Sequence, residues 1–153
     1  MILAGLAATT LAVYLCRMIK KNGGVPPSIS DTSYILKDKN IFTCVMVAIG
    51  MLMLPEMIEA SSEKTQFLAF LSSVGICGVG ASPNFKGYQR VMHFTCAYLC
   101  CIASQVMIAL NNPIILLGWI PFIICTLFTK GKNWAFWGEI TCILNTLAYC
   151  FMR

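Results

Sequence analysis

Six stretches of this 153-residue chain are apolar almost from end to end: 2–19, 41–58, 67–81, 91–110, 113–128 and 134–151. A helix needs about 20 mostly apolar residues, with a range of roughly 17–25, to cross the hydrocarbon of a bilayer. The third stretch is slightly short, and Pro121 is expected to break the fifth. Strands of a membrane barrel would alternate apolar and polar residues. These runs do not alternate, so they read as helices. Composition agrees: 58% of residues are hydrophobic and 11% charged, against roughly 25% charged in a soluble domain. Mean hydropathy is +0.77. Such a chain cannot cover a soluble surface with charge. A disordered chain, a nucleic-acid-binding module and an ordinary cytosolic enzyme are excluded. The expected fold is all-α: a polytopic transmembrane helix bundle of six spans, with residues 1–153 forming one integral membrane domain.

Connections and charge set the expected orientation. Asn111-Asn112-Pro113 marks a tight turn, because proline cannot continue the preceding helix, so spans four and five form a hairpin. The first connection, 20–40, is the long one, with Gly23-Gly24 and Pro26-Pro27 and no helical period at its start. No strong internal repeat supports an inverted-repeat transporter. The first run, Ile2 to Cys16, has no basic residues before it and no A-x-A-type cleavage site, so it reads as an uncleaved span rather than a signal peptide. Arg17, Lys20, Lys21, Lys37, Lys39, Lys86, Arg90, Lys130 and Lys132 fall on one side of a six-span arrangement, and only Lys64 and Arg153 on the other. The positive-inside rule then puts the first set in the cytoplasm and both termini outside. The net charge of +5 is spread over span ends, so it is a topology signal and no nucleic-acid partner is expected.

Ionisable groups are costly inside a bilayer, about 2.5–3.5 kcal/mol at a helix centre, so each one within a span needs an explanation. Glu139 shares a helical face with Cys142 and Thr146, at i+3 and i+7. Thr141 and Asn145, with Gly138, form a second polar stripe well round the helix. A helix polar on two sides is expected to lie between two neighbours. Glu139 is a candidate proton, cation or headgroup site, or an interhelical hydrogen bonder. His93, the single histidine, opens the fourth span and continues into Ala97, Cys100, Cys101 and Ser104. It suits either general acid–base work beside a carboxylate or a structural bond. Glu56, Glu59 and Glu63 read as a solvated acidic rim. The glycines around Gly75, Gly78 and Gly80 read as close helix packing. Nine cysteines lie inside apolar runs without a C-x-x-C pair. With one histidine they make no metal set, and no metal or cofactor is expected. Trp119, Trp134, Trp137 and Tyr88 suit interfacial anchoring, while Tyr14 and Tyr149 suit either anchoring or the core. Asp31, His93 and Glu139 are all expected on one membrane side.

The first connection reads Pro27-Ser28-Ile29-Ser30-Asp31-Thr32. It resembles the P-x-I-S-D-T signature of the DRAM/Sfk/FGF-receptor-activating-protein family of six-span membrane proteins. The later Gly75-Ile76-Cys77, with His93 and Ala97 beyond it, is similar to that family's G-x-C and histidine pattern. The resemblance implies a six-helix bundle without an established enzymatic activity, in a family associated with trafficking, autophagy, lipid asymmetry or anchor remodelling. The motif residues Pro27, Ser30, Asp31 and Thr32 transfer, together with His93, and no catalytic residue does. In that family the motif loop lies on the non-cytoplasmic side, whereas the charge count here places it in the cytoplasm, and the count is followed. The compact chain suggests a bacterial or phage-encoded relative in an inner membrane. In its own right the motif reads as a turn held by Asp31 or Ser30, whose side chains bond nearby backbone. Ceramidase-like membrane hydrolases use zinc on several histidines, a set that this chain lacks.

The expected function is therefore a non-enzymatic integral membrane protein that interacts with membrane lipids, a membrane-protein partner or copies of itself. One alternative is a small proton- or cation-linked transporter or channel using Glu139. Another is a metal-independent lipid hydrolase or transferase using His93 and Asp31.

Overall fold

The computed structural model describes residues 1–128 and 131–152. Lys130 and Arg153, both counted in the charge bias, lie outside the described residues. Among the described residues every regular element is helical: α1 (Ile2–Asn22), α2 (Thr32–Ile35), α3 (Asn40–Ala60), α4 (Gln66–Ala81), α5 (Gln89–Asn111), α6 (Trp119–Phe128) and α7 (Trp134–Phe151), with short 3-10 segments at Ser82–Asn84 and Pro113–Gly118. Four helical stretches are long and apolar enough to cross a membrane: Ile2–Asn22, Asn40–Ala60, Gln66–Asn84 and Gln89–Asn111. The protein is in this sense a membrane protein. α7 has 18 residues, but Glu139 and Asn145 dilute its apolar character.

α1 packs on α3, α3 on α4, and α4 on α5, while α7 touches α1, α3, α5 and α6. Small residues let α4 approach both neighbours. A Cβ on Gly75 would lie 2.7 Å from the Cys100 backbone nitrogen, and one on Gly80 would lie 2.7 Å from Cβ of Met46. The backbones are close enough for side-chain hydroxyls to bridge them. Ser73 Oγ donates to the Gly50 carbonyl at 2.7 Å and Thr43 Oγ1 to the Gly80 carbonyl at 2.7 Å. In hydrocarbon, where apolar burial gives little, such packing and hydrogen bonding hold helices together.

The long helices alternate in direction, which gives the bundle two distinct ends. At one end, here called the mouth, the first connection meets the starts of α3, α5 and α7 and the end of α4. Phe136 N donates there to the Pro27 carbonyl at 3.0 Å. At the far end Leu3 N donates to Glu56 at 3.1 Å, Tyr149 Oη to the Ala60 carbonyl at 2.8 Å, and Ser62 N to Asn111 Oδ1 at 3.0 Å. Residues 113–128 start at the far end and finish at the mouth. Six 3-10 residues and ten α residues, at 2.0 and 1.5 Å each, reach about 27 Å.

The surface carries the apolar excess. Phe94, Tyr98, Ile102, Val106 and Leu110 form an exposed stripe at i, i+4 spacing along α5, and α6 has no buried residue.

Three sequence expectations change. Pro121 does not break the fifth stretch. The change from 3-10 to α falls at Gly118–Trp119, and Pro121 sits in the first turn of α6, where its missing N–H is not needed. Trp119 is not an interfacial anchor, because its Nε1 donates to Gln105 Oε1 at 2.8 Å partway along the bundle. Glu56 is not part of a solvated rim. It is 4% exposed and contacts the Met1 amino group, because Pro55 lies within α3 without ending it and the helix carries Glu56 into the packed interface with α1. Tyr14 and Tyr149 are core residues.

Candidate functional site

The P-S-I-S-D-T segment is folded against the bundle. Gly23, at φ 72, closes α1 in the left-handed conformation that glycine adopts without strain. The chain then turns back over the helix ends. Ser28 Oγ donates to Asp31 Oδ2 at 2.9 Å and accepts from Asp31 N at 3.0 Å. This reciprocal pair starts the short α2. Ser28, rather than Ser30, is therefore the partner that holds the Asp31 turn. Thr32 is fully buried. Its hydroxyl bonds the Ile29 carbonyl and lies 2.6 Å from Tyr14 Oη, tying the turn to α1.

Glu139 ties the same turn to α7. Ile29 N donates to Glu139 Oε2 at 2.6 Å across 110 residues of sequence. Asn133 stands in the left-handed region at φ 54, which asparagine tolerates, and donates to the Val25 carbonyl at 3.2 Å. Gln89 Nε2 donates to Tyr34 Oη at 2.9 Å, tying α2 to α5. A buried amide without an acceptor costs about 1–3 kcal/mol, so these bonds set where the loop lies.

Under the loop is an open cavity of about 670 Å3, lined among others by Ser30, Asp31, Arg90, His93, Trp134 and Glu139. The structure thus gathers Asp31, His93 and Glu139 around one space. It does not join them: among the described residues no hydrogen bond or ion pair links His93 to either carboxylate. His93 Nδ1 instead lies 3.4 Å from Ser82 Oγ, and that hydroxyl already donates to the Val79 carbonyl at 2.7 Å. A second cavity of about 50 Å3 lies deeper, between Met46, Ile76, Ala97 and Cys142. Ser30 and Glu139 border both spaces.

The other polar residues of α7 serve different neighbours. Thr146 Oγ1 donates to the Cys142 carbonyl and Thr141 Oγ1 to the Trp137 carbonyl, each at 2.8 Å within the helix. Asn145 Nδ2 reaches Gln105 Oε1 at 3.4 Å, and a Cβ on Gly118 would collide with its side-chain oxygen. Gln105 also donates to Cys142 Sγ at 3.3 Å. Sequence reasoning missed Gln105, Arg90, Gln89 and Tyr34. A glutamine amid an apolar run was a readable signal for the first, but nothing local marked the others.

Among the described residues no group of three or more His, Cys, Asp and Glu side chains is placed to hold a metal ion. The chain matches no family model, no curated protein and no solved structure.

Proposed function

We propose that this chain is a six-crossing, non-enzymatic integral membrane protein that holds a lipid headgroup in its mouth cavity. On this reading the mouth faces the cytoplasm and both termini face away. The observation that carries it is the cavity itself. It opens where α3, α5 and α7 begin, which on this reading is the headgroup level of a bilayer, and it is lined by Asp31, Arg90 and His93. Its size falls within the range of about 300–1,000 Å3 usual for small-molecule sites. The end-to-end course of residues 113–128 supports a fifth crossing, and α7 supplies the sixth. The resemblance of 27–32 to the DRAM/Sfk/FGF-receptor-activating-protein signature agrees with a lipid-handling role.

The geometry favours this reading over the two alternatives. A hydrolase would need His93 bonded to Asp31 or to a poised nucleophile. Here no hydrogen bond joins His93 to Asp31 among the described residues, and Ser82 is buried and donates to a carbonyl. A transporter using Glu139 would need a polar path onward, but the space below Glu139 is apolar and the Thr146 hydroxyl is satisfied within its helix.

Native mass spectrometry of the protein released from a mild detergent tests the proposal. A phospholipid retained at one per chain, and lost in Asp31→Asn combined with Arg90→Gln, is the expected result. A bare protein mass under conditions that preserve other lipid complexes contradicts it. Epitopes inserted at Gly87 and at Glu63 check the orientation, with only the Glu63 tag expected to be reachable from outside intact cells.

A further inference from the structure

We propose that the mouth cavity selects a zwitterionic phospholipid headgroup bearing a primary ammonium, with the ammonium on Asp31 and the phosphate on Arg90. The inference rests on the lipid-holding reading above and names the chemistry of that site.

The cavity contains charges of both signs that do not neutralise one another. Arg90, Asp31 and Glu139 all line it. Among the described residues none of the three forms an ion pair within 4 Å, unlike Glu56, which pairs with the Met1 amino group. The Asp31 carboxylate accepts from Ser28 through one oxygen, and among the described residues its other oxygen accepts no hydrogen bond. Among the described residues the Arg90 side chain makes no hydrogen bond, and it lies over the Phe94 ring at 5.7 Å. A guanidinium presents a planar fork of donors that matches a phosphate. A carboxylate with open lone pairs matches an N–H cation. Phosphoethanolamine carries both groups on one short linker, and both side chains line the one cavity.

Two competing headgroups fit less well. A quaternary ammonium has no N–H and is held by free aromatic faces. The Tyr34 ring already carries Lys39 Nζ at 5.4 Å and the Phe94 ring carries Arg90, which leaves Trp134 without a second free ring beside it to complete a cage, while Asp31, Ser28 and Ser30 offer hydrogen-bond acceptors that only an N–H cation can use. An anionic headgroup such as phosphoglycerol would engage Arg90 but leave Asp31 facing further negative charge. The acyl chains stay outside the site. The inner cavity, at about 50 Å3, is small beside the mouth at about 670 Å3. Beside the mouth, the exposed Phe94–Tyr98–Ile102 stripe gives the chains an apolar wall within the bilayer.

The test is a titration of delipidated protein in detergent with phosphatidylethanolamine, phosphatidylcholine and phosphatidylglycerol of identical chains, read by native mass spectrometry. Phosphatidylethanolamine is expected to bind about tenfold more tightly than either of the others. Asp31→Asn keeps the Ser28 contact, so folding is preserved, and it should remove that preference without weakening phosphatidylglycerol. Arg90→Gln, at an exposed position, should weaken all three. Equal or tighter binding of phosphatidylglycerol, or an unchanged preference in Asp31→Asn, overturns the inference while leaving the lipid-holding reading intact. Failure of every lipid to bind overturns both. Soluble glycerophosphoethanolamine separates the two sources of the headgroup. Binding about a hundredfold weaker than the lipid supports a membrane ligand, and binding as tight as the lipid overturns it.

Discussion

At the far end of the bundle, polar side chains bond one another across helices, whereas at the mouth they stand around a space. Tyr149 Oη donates to the Ala60 carbonyl and lies 3.1 Å from Ser61 Oγ. Asn111 accepts from Ser62 N and donates to Thr65 Oγ1 at 2.9 Å. These bonds satisfy helix-end groups that would otherwise be orphaned. The mouth satisfies its helix ends with a folded loop instead, and leaves Asp31, Arg90 and Ser30 with bonding capacity that the described residues do not use. Both ends belong to the same helices. The difference lies in what the polar groups meet: neighbouring helices at the far end, a cavity at the mouth.

Substitutions at the two ends should therefore separate stability from ligand retention. The largest effect is expected for Glu139→Ala. It removes the acceptor of the buried Ile29 amide and should cost about 3 kcal/mol, with loss of the bound lipid as the loop lifts. Glu139→Gln keeps an acceptor and should cost about 1 kcal/mol. Thermal unfolding in detergent with lipid counting reads both, and equal costs for the two would remove the anchoring role of Glu139. Asn111→Leu at the far end is expected to cost about 2 kcal/mol and to leave lipid retention unchanged. Loss of lipid in that variant would erase the distinction between the ends.

Two smaller effects sharpen the same contrast. Gln105→Leu deletes the bonds to Trp119, Asn145 and Cys142 and should cost about 1–2 kcal/mol. It should also loosen residues 113–128, seen as faster proteolysis there, with the mouth unaffected. Tyr149→Phe is expected to cost about 1 kcal/mol and nothing in lipid binding.

The helices were legible because continuous apolar runs leave few alternatives, and α4 and α7 begin and end within a residue of the stretches read from the sequence. Pro121 misled because proline breaks a helix interior but suits a first turn. Glu56 misled because its place near the end of the second stretch was read as solvated, whereas the start of α1 packs against it there. The periodicity of α7 put Glu139 and Asn145 on separate faces, and the structure gives them separate partners, the motif loop and Gln105. Which partner each meets was not readable, since Ile29 and Glu139 are 110 positions apart and one sequence carries no signal for that pairing. The P-S-I-S-D-T segment drew attention as a motif, but its internal bond through Ser28 depends on the path of the loop.

The central claim is that one end of this bundle is built to hold a headgroup and the other is closed. The most direct test is a phosphatidylethanolamine analogue with a photoactivatable group on its headgroup, crosslinked in the bilayer and mapped by peptide mass. Labels concentrated in residues 25–36 and 89–94 are predicted. Labels spread evenly, or gathered at residues 56–65 and 107–115, would contradict the account.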